Sequence, residues 1–185
     1  MERIKAEYHI TISDFRRASY YGLFLQHRRP LRIMLVVLAV AVLYGLGGSL
    51  GLGAVNYLVF FLAGAYLIWG LLLFGGLERR ILRYVKSPES FLDCTYTAVI
   101  DSHRIAFEIP ERGAQFSTQI NKLTCVFELS QMFLIYVSTQ DTYILPHRAL
   151  TEDQRQALRR TFRERLGEHF ASRFDRAGKG RGAGK

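Results

Sequence analysis

The distribution of apolar residues sets one block of the chain apart from the rest. From Ile33 to Leu77 the sequence contains no Asp, Glu, Lys, Arg or His. One membrane span needs roughly 20 predominantly apolar residues, so the block is long enough for two spans and a short connection. The sequence therefore predicts a transmembrane hairpin over residues 31–77, with helices at about 31–50 and 55–75 and a glycine-rich turn between them.

Both sides of this hairpin show the two-residue period of β-strands. Apolar and polar residues alternate from Ile4 to Ile12, which predicts an N-terminal strand within residues 1–12. After Pro88, short alternating segments separated by turn residues predict an antiparallel meander. The expected strands are Leu92–Ile100, His103–Ile109, Ala114–Thr118, Ile120–Leu129, Met132–Ser138 and Thr142–Leu145. A lone strand is unstable, so the N-terminal strand should pair with this later sheet, and the hairpin becomes an insertion in a split soluble domain.

Two amphipathic helices complete the predicted elements. Residues 13–30 carry an aromatic face surrounded by arginines, which is typical of a helix at the lipid headgroups or of one that packs on the soluble domain. Thr151 and Gln154 have capping-box spacing and open a C-terminal helix within the domain of residues 88–172. Its apolar stripe, which should cover one end of the sheet, consists of Leu158, Phe162, Leu166 and Phe170. The small and basic residues 173–185 are expected to be disordered.

Positive charge fixes the predicted orientation of the hairpin. The formal net charge is +9, and the cations gather on both flanks of the apolar block and in the tail. Cytoplasmic flanks are enriched in Lys and Arg, so a multi-pass protein of the inner (plasma) membrane with both termini in the cytoplasm is predicted. A cleaved signal peptide fits poorly, because a second full span follows the first at once.

The same charge pattern indicates a lipid partner. Residues 92–150 carry more acidic than basic side chains, which argues against a nucleic-acid-binding domain. Juxtamembrane cations are attracted to anionic headgroups. The candidate contacts are Arg28, Arg29, Arg32, Arg79, Arg80 and Arg83.

Candidate catalytic and metal-binding chemistry is sparse. Cys94 and Cys125 lie outside C-x-x-C spacing and are interpreted as small apolar strand residues that stay reduced in the cytoplasm. The five histidines show neither H-x-x-x-H nor H-E-x-x-H spacing. The G-x-S-x-G match over residues 47–51 lies between two membrane-length apolar runs, with no strand leading into it, so it is not interpreted as a catalytic serine turn. We therefore expect no metal, no cofactor and no enzymatic activity.

His147 and Arg148 form the polar element that most merits testing. They could present cations to a lipid phosphate or an acidic peptide. The structural alternative, which we favour, is that Pro146 ends the last strand and Arg148 ties down the start of the final helix.

The order of elements and one local motif resemble the YcxB-like family of small bacterial membrane proteins. The motif is Phe133–Tyr136 followed by Tyr143–Leu150 and the helix from Thr151. His147 departs from this pattern, since the family usually has Lys there. The resemblance implies a pleckstrin-homology-type β-barrel, closed at one end by the C-terminal helix, but it implies no activity.

Three classes of function follow from these observations. The first, which we favour, is a membrane-anchored interaction or scaffold module. The second is a subunit of a membrane transport or envelope complex. The spans contain no ionisable residue, which disfavours a transporter acting alone, although a homo-oligomer or a membrane-protein partner would be compatible. The third is an enzyme.

Overall fold

The computed structural model describes residues 3–49, 57–88, 90–92, 94–138 and 141–172. The chain is an α+β protein that divides into two compact units. The first, here called the β unit, consists of residues 1–18 and 90–185, and the second, the helical unit, of residues 19–89. Residues 50–56, which contain most of the predicted glycine-rich turn, and the predicted disordered tail of residues 173–185 lie outside the described residues.

The N-terminal half of the chain is mostly helical. Three helices follow the first strand: α1 (Ile12–Gln26), α2 (Arg28–Ser49) and α3 (Tyr57–Val85). The predicted strand therefore ends earlier than expected, because Ile12 already begins α1. Conversely, α3 continues well beyond the predicted end of the second span at residue 75.

A single residue, His27, separates α1 from α2, and helical hydrogen bonding continues on both sides of it. The His27 N–H donates to the Leu23 carbonyl at 2.9 Å, and the Leu31 N–H donates to the His27 carbonyl at 3.0 Å. Pro30 has no N–H to donate to the carbonyl four residues earlier, so one helical bond is missing at this point. Proline is the usual cause of such a break in a long helix.

Helices α2 and α3 are long and apolar enough to cross a membrane, by length and composition. Within each, only 11% of the most apolar window is buried inside the protein. The two helices pack antiparallel. A Cβ added to Gly70 would lie 3.1 Å from Met34 Sδ, and one added to Gly45 would lie 3.6 Å from the Phe60 ring. Small residues thus occupy the points of close approach.

The first sheet of the β unit is antiparallel throughout. Its strands are ordered β1 (Ile4–His9), β2 (Thr95–Ile100), β3 (Arg104–Ile109) and β4 (Ala114–Gln119). β1 pairs with β2 along its whole length, from Ile4 opposite Ile100 to His9 opposite Thr95. The predicted pairing of the N-terminal strand with the later sheet is therefore confirmed.

The second sheet contains β5 (Cys125–Glu128), β6 (Met132–Tyr136), β7 (Thr142–Pro146) and β8 (Phe170–Ser172), in the order β7-β6-β5-β8. The pair β5–β8 is parallel and the others are antiparallel. The two sheets stay separate, and the described strands form no closed barrel. The ladder breaks because Ile120–Lys122, predicted as the start of a strand, forms a 3-10 turn.

The C-terminal helix α4 (Glu152–Leu166) begins as predicted and ends early. Thr151 and Gln154 form a complete capping box. Gly167 follows in a positive-φ conformation (53°), which ends the helix. Phe170 was predicted on the helical stripe, but it lies in β8, where its ring still reaches Phe162 at 6.0 Å.

Phe162 is at the centre of the α4 packing and provides a test of it. The side chain is fully buried, and its ring lies 5.9 Å from the Phe133 ring. We expect Phe162→Ala to lower the free energy of unfolding by about 3–5 kcal/mol, because it leaves a cavity in the core. Thermal and denaturant unfolding of the full chain in detergent would measure this. Gln156→Ala, on the exposed face of the same helix, should change stability by less than about 0.5 kcal/mol. Equal losses in the two variants would contradict the packing described here.

Candidate functional site

The six arginines predicted to contact lipid lie at one end of the α2–α3 pair. Three begin α2 and three lie near the end of α3, and because the helices are antiparallel these segments are neighbours. All six side chains are exposed: Arg28, Arg29, Arg32, Arg79, Arg80 and Arg83. The extension of α3 beyond residue 75 is what places its three arginines on a regular helix.

Aromatic contacts hold the second half of α1 against α3. The Tyr20 hydroxyl donates to Glu78 Oε1 at 2.7 Å. The rings of Tyr20 and Phe24 lie 6.1 and 6.0 Å from the Phe74 ring. Part of the aromatic face predicted for residues 13–30 thus packs against α3 within the helical unit.

An apolar groove of about 360 Å³ lies on the α2–α3 pair. It is lined by Pro30, Leu62, Ala65, Tyr66 and Trp69. The Trp69 ring meets Tyr66 edge-on at 6.4 Å. Tyr and Trp combine an apolar ring with one polar group, a combination suited to a boundary between water and lipid.

Arg148 is a structural clamp within the β unit. Its Nη2 donates to Asp14 Oδ2 at 2.6 Å and to the His9 carbonyl at 2.7 Å. The Thr11 N–H and hydroxyl also donate to Asp14, at 3.0 and 2.7 Å. Arg148 therefore secures the end of β1 and the first turn of α1. Its partners belong to the N-terminal segment, so the clamp joins the turn before α4 to the start of α1.

The electrostatics of Asp14 reflect this cluster. The residue is only 3% exposed. Burial alone would raise the pKa of its carboxyl, but the hydrogen bonds from Arg148 and Thr11 outweigh burial and hold the pKa below its usual value. The carboxylate is thus the stable form in the folded protein.

His147 points into the protein, away from any shared surface with Arg148. Its side chain is 7% exposed and meets the Phe133 ring edge-on at 4.8 Å. Neither ring nitrogen has a hydrogen-bond partner of normal geometry in the described part of the chain. Burial lowers the pKa of the imidazole; the nearby Arg155 and Arg159 act in the same direction, while the Glu128 carboxylate and the Ser130 carbonyl oppose them. The structure does not bring His147 and Arg148 together as one polar binding element.

A buried ion pair that the sequence analysis missed joins β5, α4 and β8. Glu128 is 1% exposed and accepts from Arg159, Nε to Oε2 at 2.9 Å and Nη2 to Oε1 at 2.5 Å. The Ser172 hydroxyl donates to Glu128 Oε2 at 2.6 Å. The sequence signal for this ion pair is that Glu128 falls on the same strand face as the buried Val126, where an acidic residue needs a partner.

Among the described residues, no group of three or more His, Cys, Asp or Glu side chains could hold a metal ion. Cys94 is buried and Cys125 half-buried, and both are free thiols. Burial raises the pKa of the Cys125 thiol, which disfavours the reactive thiolate.

No family model, curated protein or solved structure matches this chain. The resemblance to the YcxB-like family therefore rests on the order of elements and the local motif given above.

The Asp14–Arg148 contact should contribute measurably to stability at neutral pH. We expect Asp14→Asn to lower the free energy of unfolding at pH 7 by about 1–3 kcal/mol, since it removes a charge-assisted hydrogen bond. The folded pKa lies below the unfolded one, so this contribution is present above the ordinary pKa of 3.8 and is lost as the pH falls through the folded pKa. The wild-type advantage over Asp14→Asn should then shrink in strong acid. A double-mutant cycle with Arg148→Gln checks the pairing, and fully additive losses would contradict it.

The buried imidazole of His147 should make the protein acid-sensitive. Because its folded pKa is lowered, the unfolded chain takes up a proton first as the pH falls below the ordinary value of 6.5. Stability is expected to drop with a slope of up to about 1.4 kcal/mol per pH unit between pH 6.5 and the folded pKa. The free energy of unfolding, measured with denaturant from pH 8 to pH 5, should fall less steeply with decreasing pH in His147→Leu than in the wild type. His169→Leu, at an exposed position, should keep the wild-type slope. An unchanged slope in His147→Leu would be inconsistent with this account.

Proposed function

We propose that this protein is a membrane-anchored interaction module of the YcxB-like type. Helices α2 and α3 form the transmembrane hairpin, and the β unit is the cytoplasmic part that recognises a partner. The single observation that supports this most strongly is the apolar surface of the two helices. Phe61 is 74% exposed and Leu71 is 72% exposed, and large apolar side chains continue along both helices. In water such a surface would drive aggregation, whereas in a bilayer it needs no further cover.

The dimensions of the helices suit this role. The candidate span over residues 28–48 has 21 residues, and such a helix is about 32 Å long, close to the roughly 30 Å hydrocarbon core. α3 has 29 residues, more than a span needs, and its excess carries charged residues. That excess would lie beyond the hydrocarbon region.

The basic end of the hairpin supports the proposed orientation. The six exposed arginines flank the apolar segments at the end where α2 begins and α3 ends. Arginines at this position favour the cytoplasmic side and bind anionic headgroups, each with about 1 kcal/mol. Tyr66 and Trp69 line a groove on the same hairpin and suit the adjacent interfacial layer.

The buried charged groups of the β unit hold its segments together, so recognition of a partner would depend on the exposed surface of the unit. Asp14 and Glu128 are both engaged in ion pairs that join distant segments of the chain. Their contacts serve the architecture of the unit, and recognition would fall to exposed side chains. Proteins of this general architecture host lipid, peptide and structural roles, so the class of ligand requires its own argument.

Accessibility of single cysteines tests the proposal directly. We would replace Cys94 and Cys125 by Ala and introduce one thiol at a time: Ser13→Cys and Ser117→Cys at exposed positions of the β unit, and Ser49→Cys at the end of α2. A membrane-impermeant maleimide should label Ser49→Cys in intact cells. The other two variants should label only after the membrane is disrupted, because they lie in the cytoplasm. Full labelling after disruption serves as the control for each site.

Two results would contradict the proposal. Labelling of Ser13→Cys or Ser117→Cys in intact cells would place the β unit outside and reverse the orientation. Recovery of the protein in the soluble fraction after cell breakage, with no variant labelled beforehand, would remove the membrane anchor altogether.

A further inference from the structure

Three cations at one end of the first sheet form no salt bridge with a carboxylate in the described part of the chain. Arg104 begins β3, Lys122 ends the 3-10 turn that follows β4, and Arg165 lies in the last turn of α4. All three side chains are exposed. These residues are called the basic patch below. They belong to the β unit and are separate from the arginines of the hairpin.

The basic patch surrounds two adjoining hollows. The first, of about 200 Å³, is lined by His103, Arg104, Gln119, Ile120, Asn121 and Arg165. The second, of about 170 Å³, is lined by Arg104, Ser117, Thr118, Gln119 and Lys122. Arg104 and Gln119 line both, and they face each other as register partners of β3 and β4. One guanidinium is therefore shared between two neighbouring sites.

The turn that supports the basic patch is held by its own hydrogen bonds. Asp101 Oδ1 accepts from the backbone N–H groups of His103 and Arg104, both at 2.7 Å. These bonds, together with the nearby positive charge of Arg104, lower the pKa of Asp101. The Ile120 N–H donates to the His103 carbonyl at 2.9 Å, which joins this turn to the chain after β4.

Hydrogen bonds between side chains connect α4 to the turn that contains His103. Arg165 Nη2 lies 3.1 Å from His103 Nε2, and His103 Nδ1 lies 2.8 Å from the Ser102 hydroxyl. A guanidinium can only donate, so in this contact His103 Nε2 is the acceptor. This arrangement positions Arg165 beside the first hollow without neutralising its charge.

Three other arginines of the β unit form salt bridges, in contrast to the cations of the basic patch. Arg148 pairs with Asp14, Arg159 with Glu128 and Arg155 with Glu152. Gathering unpaired like charges costs repulsive energy, which a bound anion would relieve. The hollows also present hydroxyl and amide groups, which can donate to phosphate oxygens.

We propose that the basic patch binds a ligand carrying two phosphate groups. One phosphate occupies the hollow beside Arg165 and the other the hollow beside Lys122, with Arg104 donating to both. Guanidinium groups bind phosphate through paired, charge-assisted hydrogen bonds, and Lys adds a point charge. The ligand is either a soluble diphosphate ester or a lipid headgroup with two phosphates, since both offer the same chemistry.

Inorganic pyrophosphate is the first probe. The full chain, held in nanodiscs of phosphatidylcholine or in buffer if it proves soluble, would be titrated by calorimetry. We expect binding, and a Kd about tenfold or more higher in Arg104→Gln/Lys122→Gln/Arg165→Gln, since one lost charge-assisted bond already accounts for that factor. A matched triple variant, Lys5→Gln/Arg17→Gln/Arg163→Gln, removes the same charge from exposed positions of the same unit that line neither hollow. Its Kd should change by less than about twofold, which isolates the site from the net charge.

Several outcomes would overturn the proposal. These are no pyrophosphate binding, equal weakening in the two triple variants, or orthophosphate binding as tight as pyrophosphate binding. Thermal unfolding of both triple variants should match the wild type. This control excludes a folding defect as the cause of weaker binding. Cosedimentation with cardiolipin vesicles that depends on the basic patch would identify a lipid source. Pyrophosphate binding without cosedimentation would identify a soluble one. Failure of the membrane proposal leaves this test intact, because pyrophosphate binding is measured on the β unit in either medium.

Discussion

The pairing of β1 with β2 is the constraint on which the rest of this structure depends. Three helices separate the two strands along the chain, yet His9 stands opposite Thr95 in the ladder. The chain must therefore leave and re-enter the first sheet at adjacent points. Arg148 reinforces the point of departure, because it binds the last carbonyl of β1 and the Asp14 carboxylate of α1 together. The β unit is thus assembled from both ends of the sequence, and the helices are an insertion between neighbouring strands.

The second sheet is secured by a different kind of contact. A fully buried carboxylate is costly unless it is paired and its remaining oxygens are satisfied. Glu128 meets that condition through Arg159 and Ser172, which come from α4 and β8. The short strand β8 consequently has a side-chain hydrogen bond to β5 in addition to its backbone ladder with that strand. His147 is the contrasting case, a buried imidazole kept neutral among cations and an aromatic ring. Conformational specificity and acid sensitivity thus arise in the same region of the β unit.

Much of this architecture follows from patterns in the sequence. The uncharged block from Ile33 to Leu77 predicts two long apolar helices, and alternation around β1 predicts its pairing with the later sheet. Local chemistry also identifies the capping box at Thr151. The remaining features depend on tertiary contacts that periodicity does not encode. Ile120–Lys122 has the composition of a strand but forms a turn, which leaves two sheets instead of a barrel. β8 has only three residues, too few for a periodic signal. The partners of Arg148 and Glu128 lie far away in sequence, so no local motif could indicate them.

The insertion of the helices between β1 and β2 also has a consequence for biosynthesis. The ribosome delivers β1 first, and its partner follows only after the three helices have been synthesised. During that interval β1 has open edges, and the strand that will cover one of them does not yet exist. Contacts between residues so distant in sequence form slowly, and exposed edges in the interval invite pairing with other chains. The alternating Lys5, Glu7 and His9 on its outer face make such pairing less favourable. Early capture of α2 and α3 by a membrane would shorten the effective distance between the two strands, so that insertion of the hairpin would precede, and promote, closure of the first sheet.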